Sequence, residues 1–368
     1  MKRPNFILWF IAFWGFVLSA NAQEFFNVSD PLFSLPKSYI IHFTDKAITL
    51  DGKADETVWE NARWSEEFVD IEGDEKPRPL YRTRFKMLWD NENLYVYAKM
   101  QEPHIWSYYD THDMIVYHEN DFEVFIDPNG NTHNYYEFEL NARNTLFDLF
   151  MDKPYRDGGK PHINWNAKGF KSAVYCDGTL NDPEDEDLWW SVEMLIPFRS
   201  LTTDNEFIQP EDGSVWKINF SRVQWQTVIE DGKYVRRKDH KTGKLLPEDN
   251  WVWSPQGVIN MHYPERWGTA VFTKDKSLKK PDREILENES LARYLWAIYY
   301  RQRSYSREHN KFANALSQLD LPAEGKDNGM HFEITLNADK NTFNAVLVTE
   351  NGKSFSINEE GRFVKPTN

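Results

Sequence analysis

Phe122, Val124 and Ile126 alternate with Asp121, Glu123, Phe125 and Asp127, and Tyr136, Phe138 and Leu140 alternate with Glu137, Glu139 and Asn141. A period of two predicts strands with one buried face, and it puts the acids on the solvated side. Residues 86–89 and 94–98 flank Asp90-Asn91-Glu92-Asn93, a hairpin signal. Residues 48–50 run into the tight turn Asp51-Gly52, and 54–59 read as a short helical turn. Further strands are predicted at 190–196, 216–223 and 268–272. Short strands without regular intervening helices predict a mainly β chain, an antiparallel sandwich over 41–273.

Past a polar, basic connector at 274–282 the period changes. Leu291, Leu295 and Ile298 fall at helical spacing, as do Phe312, Leu316 and Leu319, which predicts two helices joined near Ser304. Residues 332–336, 343–348 and 354–357 revert to strands, so 283–368 read as a helical arm with a small β meander. At the other end, Lys2 and Arg3 precede an apolar run, 6–18, too short to span a bilayer, and Ala20-Asn21-Ala22 supplies a cleavage site. The expectation is a signal peptide over 1–22, with an uncleaved anchor as its alternative. An extended arm over 23–40 follows, and the protein is expected to be secreted or periplasmic with no membrane span after cleavage. The single cysteine, Cys176, supports no disulfide framework and reads as a structural thiol.

A hydrophobic content of 40% suffices for a sizeable core. The net charge of −15 repels nucleic acid and anionic membranes, and is compatible with neutral glycans and with cations such as Ca²⁺. No zinc-protease, nucleophile-elbow or phosphate-loop motif occurs; His118-Glu119 lacks the second histidine. Many of the fifteen tryptophans sit in short turn-flanked phrases, where a ring face can meet a sugar.

These phrases add up to a resemblance. Residues 48–59 resemble the opening I-x-(I/L)-D-G-x-x-D-E-x-x-W of family 9 carbohydrate-binding modules, and 88–96, 120–128 and 190–198 resemble the next three blocks. Trp253-Ser254-Pro255, with His262, Pro264, Glu265, Trp267 and Gly268, resembles the closing one. The blocks are ordered and cover roughly 45–273. The resemblance implies a jelly-roll-like β-sandwich, binding of a polysaccharide or oligosaccharide, and Ca²⁺ as a structural ion. It does not extend to 274–368, whose protein partner is unknown.

In such modules two tryptophans sandwich a terminal sugar. By position Trp253 resembles one plate, and Trp106, in a loop kept aromatic by Tyr108 and Tyr109, is the candidate for the other. Arg222, whose guanidinium can fork onto vicinal hydroxyls, and Glu137 are the polar candidates. For each the competing reading is structural: core packing for the rings, an ion pair for Arg222, a solvated strand face for Glu137 and Glu139. Asp51, Asp121 and Asp127 are candidate Ca²⁺ ligands, although Asp51 also suits a turn and Asp55 a helix cap. Asn144 stands where relatives tend to carry glycine, and asparagine tolerates the left-handed turn. The favoured expectation is a non-catalytic carbohydrate-binding protein in the service of polysaccharide breakdown. One alternative is a glycoside hydrolase using strand carboxylates such as Glu123 and Glu137. The other is an envelope scaffold with a degenerate sugar site.

Overall fold

The computed structural model describes residues 30–203 and 206–366. The expected signal segment, its cleavage site and most of the N-terminal arm lie outside them. Strand β1 spans Ser38–Phe43, β2 Thr83–Trp89, β3 Asn93–Gln101, β4 Asp121–Asp127, β5 Tyr135–Asn141, β6 Leu146–Met151, β7 Lys171–Asp177, β8 Trp189–Pro197, β9 Val215–Gln224, β10 Asp249–Val252 and β11 Gly268–Thr273. They form a curled sheet ordered β6-β5-β4-β9-β11-β1-β2-β3-β8-β7, with β10 also on β9. Every pairing is antiparallel except those of β1, which runs parallel to both β11 and β2. Strand β1 therefore joins the two halves, and the sheet folds on itself as a jelly-roll-like sandwich.

The alternation explains the packing. Phe122, Val124 and Ile126 from β4 and Tyr136, Phe138 and Leu140 from β5 meet Phe85, Met87, Val96, Val192 and Met194 of the opposite half in one core. Burial of such side chains is the main stabilising term. The other face of β4 and β5 was expected to be solvated. Instead loops cross over it: Ile71, Val116 and Met261 pack on Phe125, Tyr135, Leu149 and Trp267 in a second apolar layer. This covering leaves every residue of β4 and β5 buried.

The C-terminal part has one α-helix, α1 (Arg283–His309), where two were expected. It runs straight through Ser304 and ends at Asn310, in the left-handed conformation (φ 53°). Phe312, Leu316 and Leu319 do not extend a second α-helix. Gln302 clamps Ala313 through both backbone groups (2.8 and 2.9 Å), and only a 3₁₀ turn, Leu316–Leu319, follows. The helix packs on a five-stranded meander: β12 Glu324–Asp327, β13 Met330–Ala338, β14 Phe343–Thr349, β15 Ser354–Asn358 and β16 Phe363–Val364. Among the described residues no helix is long and apolar enough to cross a membrane.

Candidate functional site

The covered face of β4, β5 and β9 is not filled. A cavity of about 440 Å³ opens over it, with Glu123, Glu137 and Glu139 in its lining. The ladder brings these acids together: Glu123 stands opposite Glu139, and Ser221 of β9 stands opposite Glu123. Asp121 lies two residues before Glu123 on the same face. All four carboxylates are buried, at 0–5% exposure. Asp121 Oδ2, Glu137 Oε2 and Glu139 Oε2 make no hydrogen bond of normal geometry, and the Glu137 and Glu139 carboxyls lie against each other. Burial lifts all four above the usual carboxylate range, Glu123 to about 7 and Glu137 to about 8. Such groups can accept hydroxyl hydrogen bonds when ionised and donate one when protonated.

Around these acids the rim is apolar and aromatic. Tyr117 and Tyr155 are 40% and 43% exposed, and Ile163 and Ile259 are exposed beside them. Tyr155 stands edge-on to His262, centroids 4.5 Å apart, and Tyr117 edge-on to His118 at 4.8 Å. His262 Nδ1 and the Tyr135 hydroxyl are hydrogen-bonded at 2.8 Å. Burial, and secondarily Arg156, pushes the His262 imidazole down to about 3, so it is neutral.

The motif residues themselves are largely structural. One carboxylate, Glu193 of β8, accepts the backbone N–H of Asp51 and Gly52, both at 3.0 Å, and the Trp59 indole N–H at 3.1 Å. Gly52 has φ 85°, and a Cβ there would meet the Tyr175 backbone nitrogen at 2.5 Å. Glu193 therefore ties the Asp-Gly turn and the Trp59 segment to the far sheet. In the next block, Asp90 accepts the N–H of Glu92 and Asn93, both at 2.7 Å, and closes the β2–β3 hairpin.

Residues 50–180, which take in β2 to β7, match the family model described as "Carbohydrate family 9 binding domain-like". The chain carries a carbohydrate family 9 binding domain-like region. Among solved structures, the chain is similar to a family 9 module from Caldicellulosiruptor kristjanssonii, determined in complex with cellotriose and with glucose. In both cases 14% of residues are identical, 67% of this chain and 100% of that one are covered, and the TM-score is 0.41. It is also similar to a putative carbohydrate-binding protein from Bacteroides uniformis ATCC 8492, with 17% identity, 64% of this chain and 99% of that one covered, and a TM-score of 0.46. No curated protein sequence matches the chain.

Several expected site residues of the sandwich are not brought to the groove. Trp253 is fully buried, edge-on to Phe85 and Tyr39, with its indole N–H on Glu66 at 3.0 Å. It has no free face for a sugar and is a core residue. Trp106, 4% exposed, packs with Val223, Trp225 and Tyr234. Arg222 points into the core, where it pairs with Glu102 at 2.9 Å and with Gln224. Tyr109 packs against the second apolar layer. Glu137 alone of the five is in the groove, and it is buried rather than solvated.

The three expected Ca²⁺ ligands are likewise dispersed. Asp51 holds the Lys53 N–H in its turn, beside the far sheet. Asp127 caps the turn after β4, accepting from Gly130 at 2.8 Å and Thr132 at 2.7 Å. Of the three, only Asp121 lies in the buried carboxylate cluster of β4 and β5. At the short helical turn, Thr57–Asn61, the cap position is Glu56, not Asp55. Asn144 adopts φ 63°, as its turn requires.

Proposed function

We propose that the groove over β4, β5 and β9 binds a carbohydrate, and that the protein serves glycan capture outside the cell or in the periplasm. One observation supports this reading above the rest: exposed Tyr117 and Tyr155 rings border a floor of buried carboxylates, inside a family 9-like region. A sugar needs both. Ring faces take its C–H surface with few torsions to freeze, and acceptors take its hydroxyls. A carboxyl group serves a hydroxyl either way, accepting when ionised and donating when protonated. The rings are tyrosines, not the tryptophans that the sequence motifs single out.

A glycan array probed with the full chain tests the reading. Tyr117→Ala and Tyr155→Ala should each weaken retention about tenfold, the scale of one lost aromatic contact. Retention unchanged in the double variant excludes this groove. A second reading is glycoside hydrolysis, favoured by the raised Glu123 and Glu137 carboxyls, since a general acid must hold its proton near neutral pH. Its test is product release from the glycans retained on the array, with loss in Glu123→Gln or Glu137→Gln. No turnover of any retained glycan leaves binding alone.

A further inference from the structure

We propose that the outer face of β2, β3 and β8, across the core from the groove, binds an anionic sugar chain through Arg84 and Lys99. A cavity of about 320 Å³ lies there between Trp64 and Trp189, with Arg82, Arg84 and Lys99 in its lining and Leu188, 64% exposed, beside them.

The strand pattern builds this face. Strand β2 sends Phe85 and Met87 into the core and Arg84 and Lys86 outward. The antiparallel register then sets Arg84 directly opposite Lys99 of β3, and Gln101 of β3 opposite Trp189 of β8. Like charges directly opposite on a ladder repel. The chain has 58 acidic side chains against 43 basic ones. Even so, none of Arg82, Arg84, Lys86 and Lys99 forms an ion pair among the described residues. Lys86 donates to the Trp59 carbonyl at 2.8 Å, and Arg82 to the Gln101 side chain at 3.5 Å. Arg84 and Lys99 rest on rings instead. The Arg84 guanidinium lies 5.0 Å from the Trp64 centroid and the Lys99 ammonium 3.6 Å from that of Trp189. Burial lowers the Lys99 ammonium; Asp177 opposes this and Arg84 adds to it.

The rings thus hold two cations side by side with their donors unmatched. A carboxylate or a sulfate matches them, because it accepts forked hydrogen bonds from a guanidinium and a further one from an ammonium. The indoles and Leu188 offer apolar surface to the C–H side of the sugar that carries the anion. A neutral sugar leaves the charges unmatched, and the acidic remainder of the chain repels nucleic acid. The choice of a sugar as carrier rests on the carbohydrate reading above; the unmatched positive charge of this face does not.

The test is biolayer interferometry of the full chain over immobilised polygalacturonate, dextran sulfate and fully methyl-esterified polygalacturonate, the last uncharged. The wild type should bind the carboxylate or the sulfate polymer, more weakly as NaCl rises from about 20 to about 300 mM, and should not bind the methyl ester. The polymer that binds tells which anion the face takes. Arg84→Gln and Lys99→Gln, checked for folding by circular dichroism, should each lose about tenfold in affinity, the scale of one charge-assisted hydrogen bond. Arg283→Gln, on the exposed side of α1, should bind as the wild type does. No binding to either anionic polymer overturns the site, as does equal affinity in the variants or equal binding of the methyl ester. Single-stranded DNA held as tightly as the polymers overturns the sugar assignment. The groove is read on neutral glycans of the array. Retention of none of these, with anionic binding intact, removes the groove reading and leaves this site; the reverse removes this site alone.

Discussion

Trp253 shows how a residue's neighbours decide its role. Its phrase, Trp-Ser-Pro beside strand β10, has the form of a ligand platform, but Gly268 of β11 lies flat under the ring. A Cβ on Gly268 would sit 2.1 Å from it. The pair is a packing contact, and Trp253→Ala should lower stability by about 3–5 kcal/mol in urea unfolding. A loss under 1 kcal/mol would mean that the ring is not core. Glu193 is the converse case, a charged residue with a structural task. Removing its side chain leaves three N–H groups without their acceptor, so Glu193→Ala should cost about 3 kcal/mol. The same urea titration checks it. His262 carries a pH dependence. Its pKa falls from 6.5 to about 3 on folding, so between those values the unfolded chain binds a proton that the folded chain refuses. Its contribution is therefore fully present above pH 6.5 and is lost as pH falls toward 3. At pH 5 the His262→Gln variant should recover about 1–2 kcal/mol relative to its own deficit at pH 7. A deficit equal at both pH values would contradict a neutral buried imidazole.

At the scale of elements, the strands were legible because a period of two survives in sequence even when both faces end up buried. What the period cannot show is what covers the polar face. Glu137 and Glu139 read as solvated because alternation is local, whereas Ile71, Val116 and Met261, which pack on the apolar residues of the same face, come from separate loops. A sharper signal was present: two acids two residues apart on one strand, repeated on the next, stack into one cluster once the strands pair. Tyr117 and Tyr155 carry no comparable signal, since the rim is assembled from separate loops. The helical segment failed differently. Leu291, Leu295, Ile298 and Gln302 mark one face of a single helix, and Phe312, Leu316 and Leu319 share its spacing without its conformation. Ser304 is an exposed interior position of that helix, so Ser304→Pro should cost about 3 kcal/mol or more. A joint near Ser304 would tolerate the proline, and thermal unfolding tells the two apart.

On the scale of the whole molecule, the helix and meander are docked rather than tethered. Arg156 meets Glu265 at 2.9 Å, Asp157 accepts from Arg303 at 2.6 Å and from the Tyr299 hydroxyl at 2.5 Å, and Tyr300 bonds Glu265. Lys217 of β9 pairs with Glu289 of α1. Arg156→Ala would remove the ion-pair partner of buried Glu265, which keeps only the Tyr300 hydroxyl, and a loss of about 3–5 kcal/mol is expected. Faster proteolysis within 274–282 should accompany it. Unchanged cleavage there would mean that the two parts are held by other contacts. Arg156 also sets its charge near His262, so docking and the groove share one buried network.

The central claim is that a glycan sits between Tyr117 and Tyr155 over the acidic floor. Hydrogen–deuterium exchange of the full chain, with and without a glycan retained on the array, measures this directly. The account predicts new protection in 115–125, 135–139, 155–163 and 259–262. Protection confined to 104–109 and 250–257, around Trp106 and Trp253, would contradict it.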